Sequence, residues 1–326
     1  MGGCHGSISA ERPLTLALSR EGRGNLNKEG YMERKVQFYS EGIPVVGMLG
    51  VPDDYKPGEK RAAVIFCHGF TGVKEMWLPK NAERLRAEGY VTLNFDYRYF
   101  GESGGEPRSR LIPMAQVTDI RSAITCMQHQ PEVNPDRIGL YGTSFGCANV
   151  SYTAGIDERA KCTVAVVGPG DCERQFRLGP NFDAFMDKVR RSKAEFVLTG
   201  KVSYMQTMRL MARDPQVANA DIEKTQKAFP TWRPEVSFES LADIMEFKPE
   251  SVVDRISPRA IMWIHTDKDK LVPLFEAQSM YAKARQPKKL VVLENMVHED
   301  VYHDQGFELV VQNTNAWFKE HLPARE

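Results

Sequence analysis

The sequence has no excess charge of either sign: 43 Lys and Arg stand against 43 Asp and Glu among 326 residues, a formal net charge of zero. Proteins that grip nucleic acid draw much of their affinity from neutralising phosphates, so this balance argues against a nucleic-acid partner. Long apolar runs are also missing. No uninterrupted stretch approaches the roughly 18 residues of a membrane-spanning helix, and no membrane partner is expected. Cysteine is sparse and unpatterned. Cys4, Cys67, Cys126, Cys147, Cys162 and Cys172 show neither CxxC spacing nor paired His ligands, which argues against a zinc site or a disulfide framework. Four of them, Cys67, Cys126, Cys147 and Cys162, fall in apolar segments, as reduced thiols of a cytoplasmic protein would. Internal repeats and low-complexity tracts are absent too.

What remains, 42% hydrophobic and 26% charged, is a globular composition long enough for one large domain or two ordinary ones. Residues 1–31 stand apart. Six are glycine, and Pro13–Leu18, their one apolar stretch, is too short and too poorly preceded by positive charge for a secretory signal. They are expected to form a disordered extension with no part in chemistry.

From Met32 the chain settles into alternation. Val36–Tyr39 and Val45–Val51 read as strands around a Glu41-Gly42 turn. Ala62–Cys67 is a continuous apolar run, as in a strand buried on both faces of a parallel sheet. Lys80–Glu88, closed by Gly89, and Pro113–Gln130 have helical patterns, with Tyr90–Phe95 as a strand between them. Strands follow at Arg137–Tyr141, Cys162–Val167, Ala260–His265 and Lys289–Leu293, with helices at Pro273–Ala284 and Phe307–His321. This predicts an α/β fold over 32–170 and 256–326, with a mostly parallel, doubly wound sheet.

Residues 171–255 break the rhythm. They contain no good strand pattern, but helical ones such as Asp183–Val197 and Val202–Ala212. Fourteen basic and fourteen acidic residues balance, so the stretch is no electrostatic platform; it is rich in Phe and Met, with Trp232 as well. An inserted helical cap lying over the site is the expectation. Most of its aromatics would pack the cap's own core, and only some would line a pocket.

The chemistry concentrates at Gly142-Thr143-Ser144-Phe145-Gly146. A G-x-S-x-G pentapeptide alone is a modest signal, and a Gly-Ser turn without chemistry is the bland alternative. Here a buried strand precedes it and a small-residue helix start follows, so the serine would sit on a tight strand-to-helix turn with the helix amino end aimed at it. Serine needs a base within hydrogen-bond reach, itself oriented by a third group. In the order serine, acid, histidine, the loop after Ala260–His265 offers Asp267 and Asp269, and the loop after the next strand offers His298. His303 suits the start of the last helix, His265 a structural place, and His5 and His129 lack support. An oxyanion needs two backbone N–H donors, and Phe145, next to the serine, supplies one.

These residues, with His68-Gly69-Phe70-Thr71-Gly72 and the FDYRYFGESGG run of Phe95–Gly105, resemble the α/β-hydrolase superfamily, and within it cinnamoyl (feruloyl) esterases and dienelactone-hydrolase-like or peptidase-like members. The resemblance covers roughly Met32 to the C-terminus outside 171–255. It implies Asp269, four residues before the proline of Val272-Pro273, as the acid, leaving Asp267 to capping or turn-making. It further implies Phe70, the residue after His-Gly, as the second oxyanion amide, with His68 fixing that loop. Tyr99-Phe100 departs from the Gly-His common at that place. Ser144 stands where dienelactone hydrolases have Cys and dehalogenases Asp. The implied activity is that of a carboxylesterase-like serine hydrolase with Ser144 as nucleophile, needing no cofactor or metal and acting on a small-molecule ester or related acyl substrate. Amide, carbamate, thioester or carbon–carbon cleavage and acyl transfer use the same groups. A non-catalytic binding protein on this fold is a further reading, and homo-oligomer formation stays open.

Overall fold

Strands buried at every position, such as Arg61–Cys67 and Ala260–Thr266, lie at the centre, where helices cover both faces of a sheet. The computed structural model describes residues 25–26, 32–211 and 221–325. Its strands are β1 (Asn25–Leu26), β2 (Met32–Ser40), β3 (Ile43–Val51), β4 (Arg61–Cys67), β5 (Val91–Phe95), β6 (Val133–Thr143), β7 (Ala160–Val166), β8 (Tyr204–Gln206), β9 (Glu235–Ser237), β10 (Ala260–Thr266) and β11 (Lys288–Leu293). Nine of them form one sheet in the order β1-β2-β3-β5-β4-β6-β7-β10-β11. β1, β2, β3 and β5 pair antiparallel in sequence. From β5 across to β11 every neighbouring pair is parallel.

Strand period two divides the core between the two faces. In β4, Ala63, Ile65 and Cys67 join one apolar cluster and Ala62, Val64 and Phe66 the other; β10 splits in the same way, Ile261 and Trp263 against Ala260, Met262 and Ile264. Helices α2 (Pro113–Gln128) and α3 (Phe145–Ile156) cover the first face. The second is covered by α1 (Leu78–Ala87) and the last helix, Asp304–His321. The expected doubly wound α/β sheet is present. Several elements run past their expected ends, notably β6, which begins at Val133.

Residues 171–255 follow β7. They hold α4 (Cys172–Arg177), α5 (Phe182–Thr199) and shorter helices at Thr207–Leu210, Ile222–Ala228 and Ser240–Glu246. The helix expected over Val202–Ala212 does not form as such. Its first part is β8, paired antiparallel to β9, with flanking bonds from Phe238 N to Ser203 O (2.8 Å) and from Thr207 N to Pro234 O (2.9 Å). Pairing with a segment thirty residues away overrides the local helical pattern, and only Thr207–Leu210 keeps it. Ala212 lies outside the described residues, as does the expected extension 1–31 apart from Asn25–Leu26.

Candidate active site

The sheet presents the ends of β4, β6, β7, β10 and β11 along one edge, where loops of a parallel sheet gather functional groups. Ser144 stands between β6 and α3 with φ 53° and ψ −123°. Such a backbone costs on the order of 1–3 kcal/mol and persists only where the surroundings enforce it. Two contacts do so. Ser144 N donates to Val166 O at 2.8 Å, tying the turn to β7. On the other side Gly146 presses against the end of β4, where an added Cβ would lie 2.0 Å from Cys67 O.

Three of the residues singled out from sequence converge here. His298 Nε2 is 3.2 Å from Ser144 Oγ, and His298 Nδ1 is 2.6 Å from Asp269 Oδ2. The other oxygen of Asp269 accepts from Leu271 N (2.9 Å) and Val272 N (2.7 Å), which fixes the carboxylate plane. His298 and Asp269 are buried and Ser144 is half-buried at the floor of a cleft. The rival acid does something else. Asp267 Oδ1 accepts from Met296 N at 3.2 Å, and Lys268 N donates to Met296 O at 2.9 Å, so this loop is laced to the one carrying His298. His265 is buried with Nε2 2.8 Å from Val272 O, and burial lowers its pKa. His303 holds the N-cap position of the last helix, one residue before the helix starts, without a side-chain capping bond. His129 bonds Thr125 O on an exposed surface, and His5 is outside the described residues.

Phe145 opens α3, so its N–H is among the first four of the helix, which have no intrahelical acceptor. The loop after β4 passes close by: a Cβ on Gly69 would come 3.0 Å from Ser144 Cβ, and the Phe70 and Phe145 rings meet edge to face at 5.8 Å. His68 is buried edge-on against Tyr97 at 4.7 Å, with Nδ1 3.0 Å from Gly69 O, and burial pushes its pKa down to about 4.

A second lock was not readable from spacing. The Lys74 ammonium, a few residues beyond His-Gly-Phe-Thr-Gly, meets Asp96 Oδ2 at 2.9 Å, Glu102 Oε2 at 2.7 Å and Glu75 Oε1 at 2.5 Å. Asp96 also accepts from the amides of Lys74 (2.7 Å) and Glu102 (2.9 Å). Glu75, Asp96 and Glu102 have the separation of a metal-binding trio, but their carboxylates are gathered around this ammonium. The cluster joins the loop bearing Phe70 to the FDYRYFGESGG loop, and so accounts for the acidic residues of that run. The start of residues 171–255 is tied down in a similar way. Glu276 Oε2 accepts from the amides of Gly170 and Asp171, both at 2.9 Å, and meets Arg174 at 2.7 Å, while Gln175 Nε2 donates to Leu271 O at 2.8 Å.

Two cavities meet at Ser144. A pouch of about 490 Å³ is bounded by Phe70, Phe145, Pro169, Phe176, Leu210 and Val272. A wider space of about 1170 Å³ runs along the His298 side, with Trp77, Tyr302, Glu299 and His303 at its rim and Thr71, Thr143, Thr207 and Thr225 among its polar walls. Arg174, Glu276 and Gln175, like Lys74, carry no motif that sequence reading could have used.

Comparison with known proteins places this geometry. The chain is 30% identical over 272 residues, 81% of its length and 92% of the relative's, to an uncharacterised 31.7 kDa protein of the traX-finO intergenic region of Escherichia coli. It is 26% identical over 291 residues, 85% of its length and 90% of the relative's, to the thiohydrolase aneE of Aspergillus aculeatus. The crystal structure of hypothetical protein PA2218 from Pseudomonas aeruginosa superposes with a TM-score of 0.78 at 24% identity, covering 91% of this chain and 96% of that one. Ferulic-acid-bound Est1E from Butyrivibrio proteoclasticus gives 0.63 at 20%, covering 87% and 98%, a likeness of fold. Residues 58–305 match the model of the serine aminopeptidase S33 family, and the chain belongs to that family of α/β-hydrolases.

Proposed function

We propose that the protein is a serine hydrolase that cleaves a carboxylic ester or related acyl bond through an acyl-enzyme. The reading rests on one observation: the unbroken line from Asp269 Oδ2 through His298 to Ser144 Oγ, with steps of 2.6 and 3.2 Å, at a strained strand-to-helix turn. His298 Nε2 takes the Ser144 proton as Oγ attacks the acyl carbon. Nδ1–H donates to Asp269, which holds the tautomer and stabilises the imidazolium. The Phe145 and Phe70 amides receive the oxyanion, and the imidazolium then gives its proton to the leaving atom. Water, deprotonated by the same ring, releases the acid and restores Ser144. Nothing in this cycle calls on a metal or organic cofactor.

Ser144→Ala should lower kcat by about 10⁴- to 10⁶-fold and abolish labelling by a fluorophosphonate probe, with folding intact. Labelled Ser144→Ala protein, or unlabelled wild type, would refute the assignment; the latter would instead favour a non-catalytic binder. Esters, thioesters and amides of one acyl group, compared side by side, rank the bond types.

A second reading is acyl transfer or thioester cleavage by the same groups. The breadth of the cavity on the His298 side favours it, since an acceptor or leaving group larger than water fits there, and one relative carries the name thiohydrolase. A cytoplasmic location is supported by the five cysteines among the described residues, all free and buried, with the Cys67 thiol pushed up to about 12 by burial. No helix among the described residues is long and apolar enough to cross a membrane.

A further inference from the structure

Of the two cavities that meet at Ser144, only the wider one is lined by His298. If Ser144 and His298 act as proposed above, the leaving atom must be on the His298 side, where Nε2 can protonate it. The acyl group then lies in the other cavity, the pouch of about 490 Å³ whose lining does not include His298. Phe176 and Leu210, which form part of its wall, also line a third cavity of about 750 Å³ within residues 171–255, continued by Pro180, Phe182, Phe185 and Met205, so these two side chains alone stand between the pouch and that space. Every described residue lining it apart from Arg209 is apolar or glycine. The Phe176 and Phe185 rings stack at 6.4 Å with planes 14° apart, giving this third cavity a flat aromatic side. The outer end is bounded by Pro180 and Arg209, both exposed.

We propose that this third cavity is the distal part of the acyl site, and that the protein acts on long, unbranched apolar acyl chains threaded between Phe176 and Leu210. The leaving group is left to the His298 side. Phe176, Phe182, Phe185, Met205 and Met211 are the Phe and Met residues of 171–255 that would form the channel wall, whereas Phe238 and Phe247 pack the core. A flat, narrow passage admits a methylene chain and obstructs a branched or fused-ring acyl group. Because the outer end is bounded by exposed residues, the channel sets no sharp upper length.

The test is the acyl-length dependence of kcat/KM for p-nitrophenyl butyrate, octanoate, decanoate and dodecanoate. Each methylene newly buried in the channel should raise kcat/KM by about fourfold, so dodecanoate should exceed octanoate by tenfold or more. Met205→Trp fills the third cavity from a position outside the pouch. It should cut the dodecanoate-to-butyrate ratio at least tenfold, with fluorophosphonate stoichiometry confirming that the variant is folded. A wild-type optimum at butyrate with a decline by octanoate would overturn the proposal, as would an unchanged ratio in folded Met205→Trp. Should that variant fail to fold, the wild-type profile decides alone. The underlying reading fails separately, through Ser144→Ala retaining butyrate hydrolysis.

Discussion

Every residue of β4, β5 and β10 is buried, and so are all but Tyr152 and Ile156 of α3. In α5, eighteen residues long, only Val189 and Ser192 are buried. The contrast divides labour. The groups proposed to react and the two amides proposed for the oxyanion stand at the edge of the densely packed sheet, where backbone and side chain have little freedom. Residues 171–255 contribute walls such as Phe176, Leu210 and Met211 and no member of the Ser144–His298–Asp269 line. A strained serine needs the first kind of surroundings. A wall that shapes a substrate pocket tolerates the second.

The largest effect that would test this contrast is expected at Gly146. A Cβ there would meet Cys67 O at 2.0 Å and His68 O at 2.8 Å, both backbone atoms at the end of a central strand, which cannot move aside as a flexible side chain does. Gly146→Ala should cost more than about 4 kcal/mol, a large share of a typical folding stability, and yield little folded protein. Soluble Gly146→Ala with a melting temperature within a few degrees of wild type would show that the core yields more than its packing implies.

A smaller and more specific effect concerns pH. His68 is buried neutral, its pKa pushed from 6.5 down to about 4 by burial. As pH falls from 6.5 towards 4 the unfolded chain takes up a proton that the folded protein refuses, so stability drops, by about 3 kcal/mol at 1.36 kcal/mol per pH unit. Residues 171–255 contain no histidine, so this dependence must come from outside them. Urea melts over this range should show a clearly shallower slope for His68→Gln. Equal slopes would mean that His68 is open to water in solution.

Sequence reading found the sheet and the proposed site for one physical reason. A buried parallel strand is apolar at most positions, and the turn at its end must have glycine where backbones touch, so Ala62–Cys67 and Gly142–Gly146 announce themselves. The loop positions of Asp269 and His298 followed from chain order and resemblance rather than from local chemistry. What stayed hidden depends on pairing across distance. Tyr204–Gln206 is a strand only because Glu235–Ser237 lies alongside, and Lys74 gains its meaning only once Asp96 and Glu102 fold around it. Val197 shows the limit from the other side: an apolar residue in a helical pattern is expected to be buried, yet it is 75% exposed.

That exposure provides the smallest expected effect. Val197 and Leu198, 75% and 82% exposed, end α5 next to Gly200, which adopts φ 72° and closes the helix. With so little surface removed from water, Leu198→Ser forfeits almost no burial and loses only the slight advantage of leucine over serine in a helix. It should cost less than about 0.5 kcal/mol, whereas a large-to-small change at Ile65, fully buried in β4, costs about 2–5 kcal/mol for Ile→Ala. Paired urea melts of the two variants measure the contrast directly. If Leu198→Ser instead costs more than about 1 kcal/mol, and the loss grows with protein concentration in the wild-type reference, the tip of α5 is covered in solution by another copy of the chain. The low burial of the insertion would then belong to the isolated protomer rather than to the protein at work.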